Sequence, residues 1–174
     1  VRPYLEGEEM FLANYADGLT DLRLPDQIRH LQRSGKLASF LAVRPNLSYH
    51  FMTARDDGTV TSFRDIAQSG LRVNGGFFVF RQEIFDYIQP GEELVQEPFH
   101  RLMMDRQLLA YRYDGFWLPM DTAKDKKRLD ELYDSGNPPW FVWKHATPRR
   151  TVTSLTTQIK LEVPEPLAVQ RTGT

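Results

Sequence analysis

Two lone carboxylates, Asp17 and Asp121, are the residues whose type and context best suit them for chemistry. Asp17 sits in Asn-Tyr-Ala-Asp-Gly (14–18), just past the short apolar run Met10–Tyr15. Asp121 follows Gly-Phe-Trp-Leu-Pro-Met (115–120), past the aromatic run Leu108–Trp117 and directly before a helix start. If both runs are strands of an open α/β sheet, acids beyond their carboxyl ends overhang the crevice where phosphate ligands bind. Each acid also has a plainer reading. Asp17 before Gly18 suits a turn, and Asp121 suits the positive end of the helix that follows. Thr122 offers its own cap oxygen three residues before Asp125, which leaves Asp121 free.

A second feature is Asn74-Gly75-Gly76 inside the apolar run Val73–Phe80. Glycine within a strand weakens packing and marks either a bulge or a place where a ligand comes close. The aromatics Tyr111, Tyr113, Phe116 and Trp117 alternate along one strand and read mainly as core packing. Trp140, Phe141 and Trp143, after Pro138-Pro139, could cover an apolar surface of this or another subunit, so a homo-oligomer contact is expected there. The run Lys124 to Arg128 reads as a solvated helix face.

Other chemistries are excluded or unsupported. The chain has no cysteine, so disulfides, thiol catalysis and thiolate zinc sites are out, in keeping with a cytoplasmic location. The histidines at 30, 50, 100 and 145 lack ligand spacing. A net charge of −1 gives no bulk field for nucleic acid or an anionic membrane, so local groups must meet any phosphate. No apolar run approaches the roughly 18 residues of a membrane span.

The elements that must position these residues follow from periodicity and punctuation. Met10–Tyr15 and Leu37–Val43 read as buried parallel strands, joined by a helix with Pro25 in its first turn and Gly35 at its end. Asp57-Gly58 between two extended runs predicts an inserted hairpin over 49–63. Val73–Phe80 reads as a further strand and Gln82–Ile88 as a short helix. Glu92–Arg106 reads as a helix broken or kinked at Pro98, and Leu108–Trp117 as one aromatic strand. A final helix starts at Thr122, buries Leu129, Leu132 and Tyr133, and stops at Gly136. Alternating strands and helices predict an α/β class with a mostly parallel, Rossmann-like sheet. Residues 1–144 form the core fold on this reading; 145–174, with one alternating patch at Thr156–Val163, form a polar extension.

The strings themselves resemble a known family. Tyr-Ala-Asp-Gly-Leu-Thr-Asp (15–21), Val-Arg-Pro (43–45), Val-Asn-Gly-Gly-Phe-Phe-Val (73–79), Ile-Phe-Asp-Tyr-Ile (84–88) and Leu-Ala-Tyr-Arg-Tyr-Asp-Gly-Phe-Trp-Leu-Pro-Met-Asp-Thr (109–122) occur in the order seen in sugar-1-phosphate nucleotidyltransferases, cytidylyltransferases above all. The resemblance implies condensation of a nucleoside triphosphate, CTP first, with a hexose-1-phosphate. It implies Mg²⁺ on Asp17 and Asp121 as the catalytic pair, and sugar binding through Tyr15, Asp65, Asn74, Gly75, Gly76 and Thr122. Two departures matter. The family's glycine-rich Gly-x-Gly-Thr-Arg loop has no match, so the chain is expected to supply the sugar-phosphate and metal side of such a domain. Ile66 stands where the family has a phosphate-holding lysine, and Ala16 where glycine is usual. Arg64 or Arg72 could replace the missing cation. The alternative function is a non-catalytic sugar-phosphate-binding or scaffold module.

Overall fold

The computed structural model describes residues 1–45, 49–66 and 69–144, so the expected extension over 145–174 lies outside the described residues. In chain order the elements are β1 (Met10–Ala13), β2 (Gly18–Thr20), α1 (Leu24–Ser34), β3 (Ala38–Val43), β4 (His50–Ala54) and β5 (Val60–Asp65). They continue with β6 (Val73–Asn74), β7 (Phe78–Arg81), α2 (Glu97–Met104), β8 (Leu108–Arg112), β9 (Trp117–Pro119) and α3 (Ala123–Asp134). The expected α/β class is borne out. Among the described residues no helix is long and apolar enough to cross a membrane.

The main sheet is mixed. β8 pairs with β3 in parallel, whereas β6 and β7 pair antiparallel with β3 along its other edge, and β1 pairs antiparallel with β7. Two reversals therefore leave β1, β3 and β8 running the same way. The parallel reading of β1–α1–β3 holds for direction but not for contact, because β7 lies between the two strands. α1 begins with proline in its first turn and ends on Gly35 in the left-handed region, φ 65°. Its buried side chains are Gln27 and Leu31.

The sheet buries opposite stripes of β3 on its two faces, as period-two alternation requires. On one face Leu41 and Val43 pack with Leu22, Phe77, Tyr111 and Trp117. On the other, Phe40 meets Phe99 of α2, inside a cluster built on Phe78, Phe80, Ile84 and Leu102. Fully burying a Phe or Leu of this kind contributes roughly 1.5–3 kcal/mol, so this aromatic layer is the main anchor of the sheet.

Four expectations need correction. Leu108–Trp117 is not one strand: Tyr113–Phe116 turns the chain out of the main sheet, and β9 pairs instead with β2. Pro98 does not break a helix; it occupies the first turn of α2, where its missing N–H costs nothing. Gln82–Asp86 is a 3-10 turn, and Tyr133 of α3 is 61% exposed. The predicted hairpin is present as β4–β5, with Gly58 at φ 84° in its loop.

Candidate functional site

Asp17 and Asp121 both lie at one end of the β2–β9 ribbon. Gly18 pairs with Pro119, and one step beyond it the Met120 N–H donates to the Asp17 carbonyl at 2.9 Å. Asp17 thus stands at the start of β2, not at the end of β1, and Asp121 follows directly on Met120. Both carboxylates are exposed and neither has a hydrogen bond or ion pair among the described residues. The capping box explains half of this. Thr122 Oγ1 accepts from the Asp125 N–H at 3.2 Å, and Asp125 Oδ2 accepts from the Thr122 N–H at 3.0 Å, so the helix start makes no demand on Asp121. Thr122 is itself engaged in that cap.

Asn74-Gly75-Gly76 forms a bulge between β6 and β7. The pairs Ala42↔Asn74 and Ser39↔Val79 flank it, leaving two more residues on this strand than on β3. Gly76 takes φ 74°, and Phe77 takes φ 47°, unusual for a residue with a side chain. A Cβ on Gly76 would lie 2.5 Å from Asn14 Oδ1, and one on Gly75 would lie 3.1 Å from both Trp117 Nε1 and Val43 Cγ2. Glycine is therefore required at Gly76 by both close approach and backbone, while at Gly75 a side chain would crowd Trp117 and Val43.

Side chains from the β1–β2 loop, β6, α1 and β9 hold this bulge. Asn74 Oδ1 accepts from the Gly76 N–H at 3.0 Å, while its Nδ2 donates to the Tyr15 hydroxyl at 3.2 Å. Asn14 Oδ1 accepts from the Phe77 N–H at 2.7 Å. The buried Gln27 of α1 donates Nε2 to the Phe77 carbonyl at 2.7 Å. Trp117 Nε1 donates to the Gly75 carbonyl at 2.9 Å, tying the bulge to the ribbon that carries both acids. Tyr15, Asn74, Gly75 and Gly76 are thus one constellation, linked through Trp117 to Asp17 and Asp121.

Asp65 is placed differently. It ends β5, paired with His50, on a two-stranded sheet separate from β2–β9. Arg72 is taken up by the fold: it donates to the Ala42 and Tyr113 carbonyls and to Asp114, each at 2.8 or 2.9 Å. Arg44 Nε also donates to Asp114 Oδ1 at 2.8 Å, and Arg44 first, then Arg72, hold that carboxyl below the usual range. Tyr113 donates to Asp21, and burial, followed by that hydrogen bond, pushes its phenol up. These tertiary partners, with Asn14, Gln27 and Trp117, are what residue-by-residue reading misses, since each pair is far apart in sequence.

Among the described residues no three His, Asp or Glu side chains gather in metal-holding geometry. A hard cation held by Asp17 and Asp121 would take phosphate oxygens and water in its remaining positions. Mg²⁺ is commonly held in that way.

The chain is 35% identical over 146 residues to the glucose-1-phosphate cytidylyltransferase of Salmonella typhimurium, covering 83% of this chain and 56% of that protein. The chain is a sequence relative of the sugar-1-phosphate nucleotidyltransferases. The Salmonella typhi cytidylyltransferase gives 34% over 146 residues, again with 83% and 56% covered. The chain thus spans about half the length of the curated nucleotidyltransferases it matches. A Bacillus anthracis structure assigned as a glucose-1-phosphate thymidylyltransferase, in complex with a sucrose, shares the fold. Its TM-score is 0.53 at 10% identity, over 75% of this chain and 56% of that one. No protein-family model matches.

Proposed function

We propose that this chain supplies the sugar-phosphate and Mg²⁺ side of a sugar-1-phosphate nucleotidyltransferase. The reaction joins a hexose-1-phosphate to a nucleoside triphosphate, CTP first, and releases pyrophosphate. The observation that carries the reading is the ladder contact between Asp17 and Met120, which brings two unpartnered carboxylates to one ribbon end. Mg²⁺ bound there would neutralise phosphate charge and act as a Lewis acid for attack on the α-phosphorus. Asp17 and Asp121 would hold it. Asn74, Tyr15, Gly75 and Gly76 would orient the sugar. Thr122 and Asp65 complete the proposed sugar contacts. The division at residue 145, a cytoplasmic location and a homo-oligomer through Trp140–Trp143 belong to the same proposal; Trp143 is 63% exposed, which supports the last.

Calorimetric titration with hexose-1-phosphates and nucleoside triphosphates, with and without Mg²⁺, tests this. Mg²⁺ should strengthen sugar-phosphate binding, and Asp17→Asn or Asp121→Asn should remove that gain. Equal binding in wild type and both variants would sink the reading. One observation favours the alternative, a sugar-phosphate-binding module without turnover: Ile66 is a side chain that cannot bond an anion. Mg²⁺-dependent sugar-phosphate binding with no pyrophosphate release from any triphosphate would select it.

A further inference from the structure

The sheet face opposite the bulge carries a separate pocket of about 460 Å³, lined by Phe40, Ala42, Gly70, Arg72, Ala110 and Arg112. Its floor follows from register: Phe40 pairs with Ala110 and Ala42 with Arg112 in the parallel β3–β8 ladder, so these four side chains share one face. Leu41, Val43 and Tyr111 alternate onto the other face, where Val43 touches Gly75. None of the six lining residues belongs to the acid ribbon or to the glycine bulge.

Charge at this pocket is unbalanced. Arg44 and Arg72 share a single carboxylate, Asp114, through the same oxygen. Arg112 is exposed and has no hydrogen bond or ion pair among the described residues. The pocket lining thus holds two arginines, Arg72 and Arg112, and no carboxylate, and the free one lies beside Ala110 and Ala42. Arg72 cannot move to serve a ligand elsewhere, because two backbone carbonyls and Asp114 fix it, but its fixed charge still faces this pocket. A planar guanidinium with open donors matches phosphate geometry better than it matches any cation or neutral ligand.

We infer that Arg112, backed by Arg72, forms a phosphate-binding site at the β3–β8 edge, distinct from the carboxylate site and independent of the function proposed above. The ligand is a small molecule carrying a phosphate group.

Titration of the full chain with inorganic phosphate, without Mg²⁺ and followed by amide chemical shifts, tests the site. Saturable shifts should centre on Gly70, Ala110 and Arg112 and persist in Asp121→Asn. Arg112→Gln should weaken binding roughly tenfold or more, as expected for losing charged hydrogen bonds. Arg112→Lys, which keeps the charge, should retain part of it. A nucleoside monophosphate titrated the same way separates sources: tighter binding with shifts reaching Phe40 assigns an ester, and equal binding assigns the free ion. Unchanged affinity in a folded Arg112→Gln, or shifts confined to Asp17, Gly75 and Asp121, would overturn the inference. Loss of phosphate binding in Asp121→Asn would count against it too.

Discussion

Phe77 shows at the scale of one residue how much of this fold serves the glycine bulge. A left-handed backbone with a bulky side chain costs of order 1–3 kcal/mol and persists only where surroundings impose it. Here the Asn14 amide oxygen accepts from its N–H and the Gln27 amide donates to its carbonyl. Gln27 is fully buried, so Gln27→Met, similar in size, should leave that carbonyl short of a donor. The expected loss is about 1–3 kcal/mol in urea unfolding, and an unchanged midpoint would show that the bulge does not depend on it. Tyr113 gives a second test. Its folded-state pKa is raised, mainly by burial and then by donation to Asp21. The sign follows: its contribution is complete below about pH 10, the ordinary phenol range, and is lost as pH climbs beyond. Tyr113→Phe should therefore flatten the alkaline limb of a stability–pH profile measured by denaturant titration; an unaltered limb would refute the assignment. Gly115 belongs to the same contact, since a Cβ there would lie 2.7 Å from Asp21 Oδ1 and closer still to the Tyr113 hydroxyl.

Among the elements, α3 was the most legible and β9 the least. The Thr122-x-x-Asp125 spacing announces a capping box, and the box is present with both reciprocal bonds. Thr122→Ala should cost about 1 kcal/mol, read from chemical unfolding. The same variant should also weaken Mg²⁺-dependent sugar-phosphate binding if Thr122 contacts the sugar; unchanged binding would remove Thr122 from the site while leaving Asp121, which the cap does not use, in it. Helix α1 and the β4–β5 hairpin were equally readable, because Pro25, Gly35 and Asp57-Gly58 act locally. β9 was hidden inside an aromatic run. Nothing in alternation along Leu108–Trp117 tells that the chain leaves one sheet at Tyr113 and joins another at Trp117; pairing with β2, some hundred residues earlier, decides it. The acids at 17 and 121 were legible for that reason only through their strings. Their shared ribbon end was not.

At the scale of the molecule, the described residues fall into one anchored sheet and two small ribbons of unequal support. β3 is paired on both edges and packed on both faces, and its residues Ala38, Leu41, Ala42 and Val43 are nearly inaccessible. The β2–β9 ribbon has only two strands, yet Trp117 bonds Gly75, Thr20 bonds the Phe116 carbonyl, and Leu118 is buried. The β4–β5 hairpin is less deeply packed: Met52, Val60 and Phe63 are each more than half exposed, although His50 stacks on Phe63. Two-stranded hairpins are marginal on their own, and local opening follows from few buried contacts. Amide hydrogen exchange under native conditions should therefore rank three levels. Leu41 and its β3 neighbours should open only with global unfolding, Leu19 of the β2–β9 ribbon at an intermediate free energy, and Met52 and Thr53 of the hairpin fastest. The ranking has a consequence for the proposed chemistry. The acid pair lies on the better-supported ribbon, and Asp65 lies on the looser one, so sugar-phosphate binding should slow exchange in β4–β5 if Asp65 takes part. Slowing confined to the bulge and the β2–β9 ribbon would remove Asp65 from the site while leaving Asp17 and Asp121 in it.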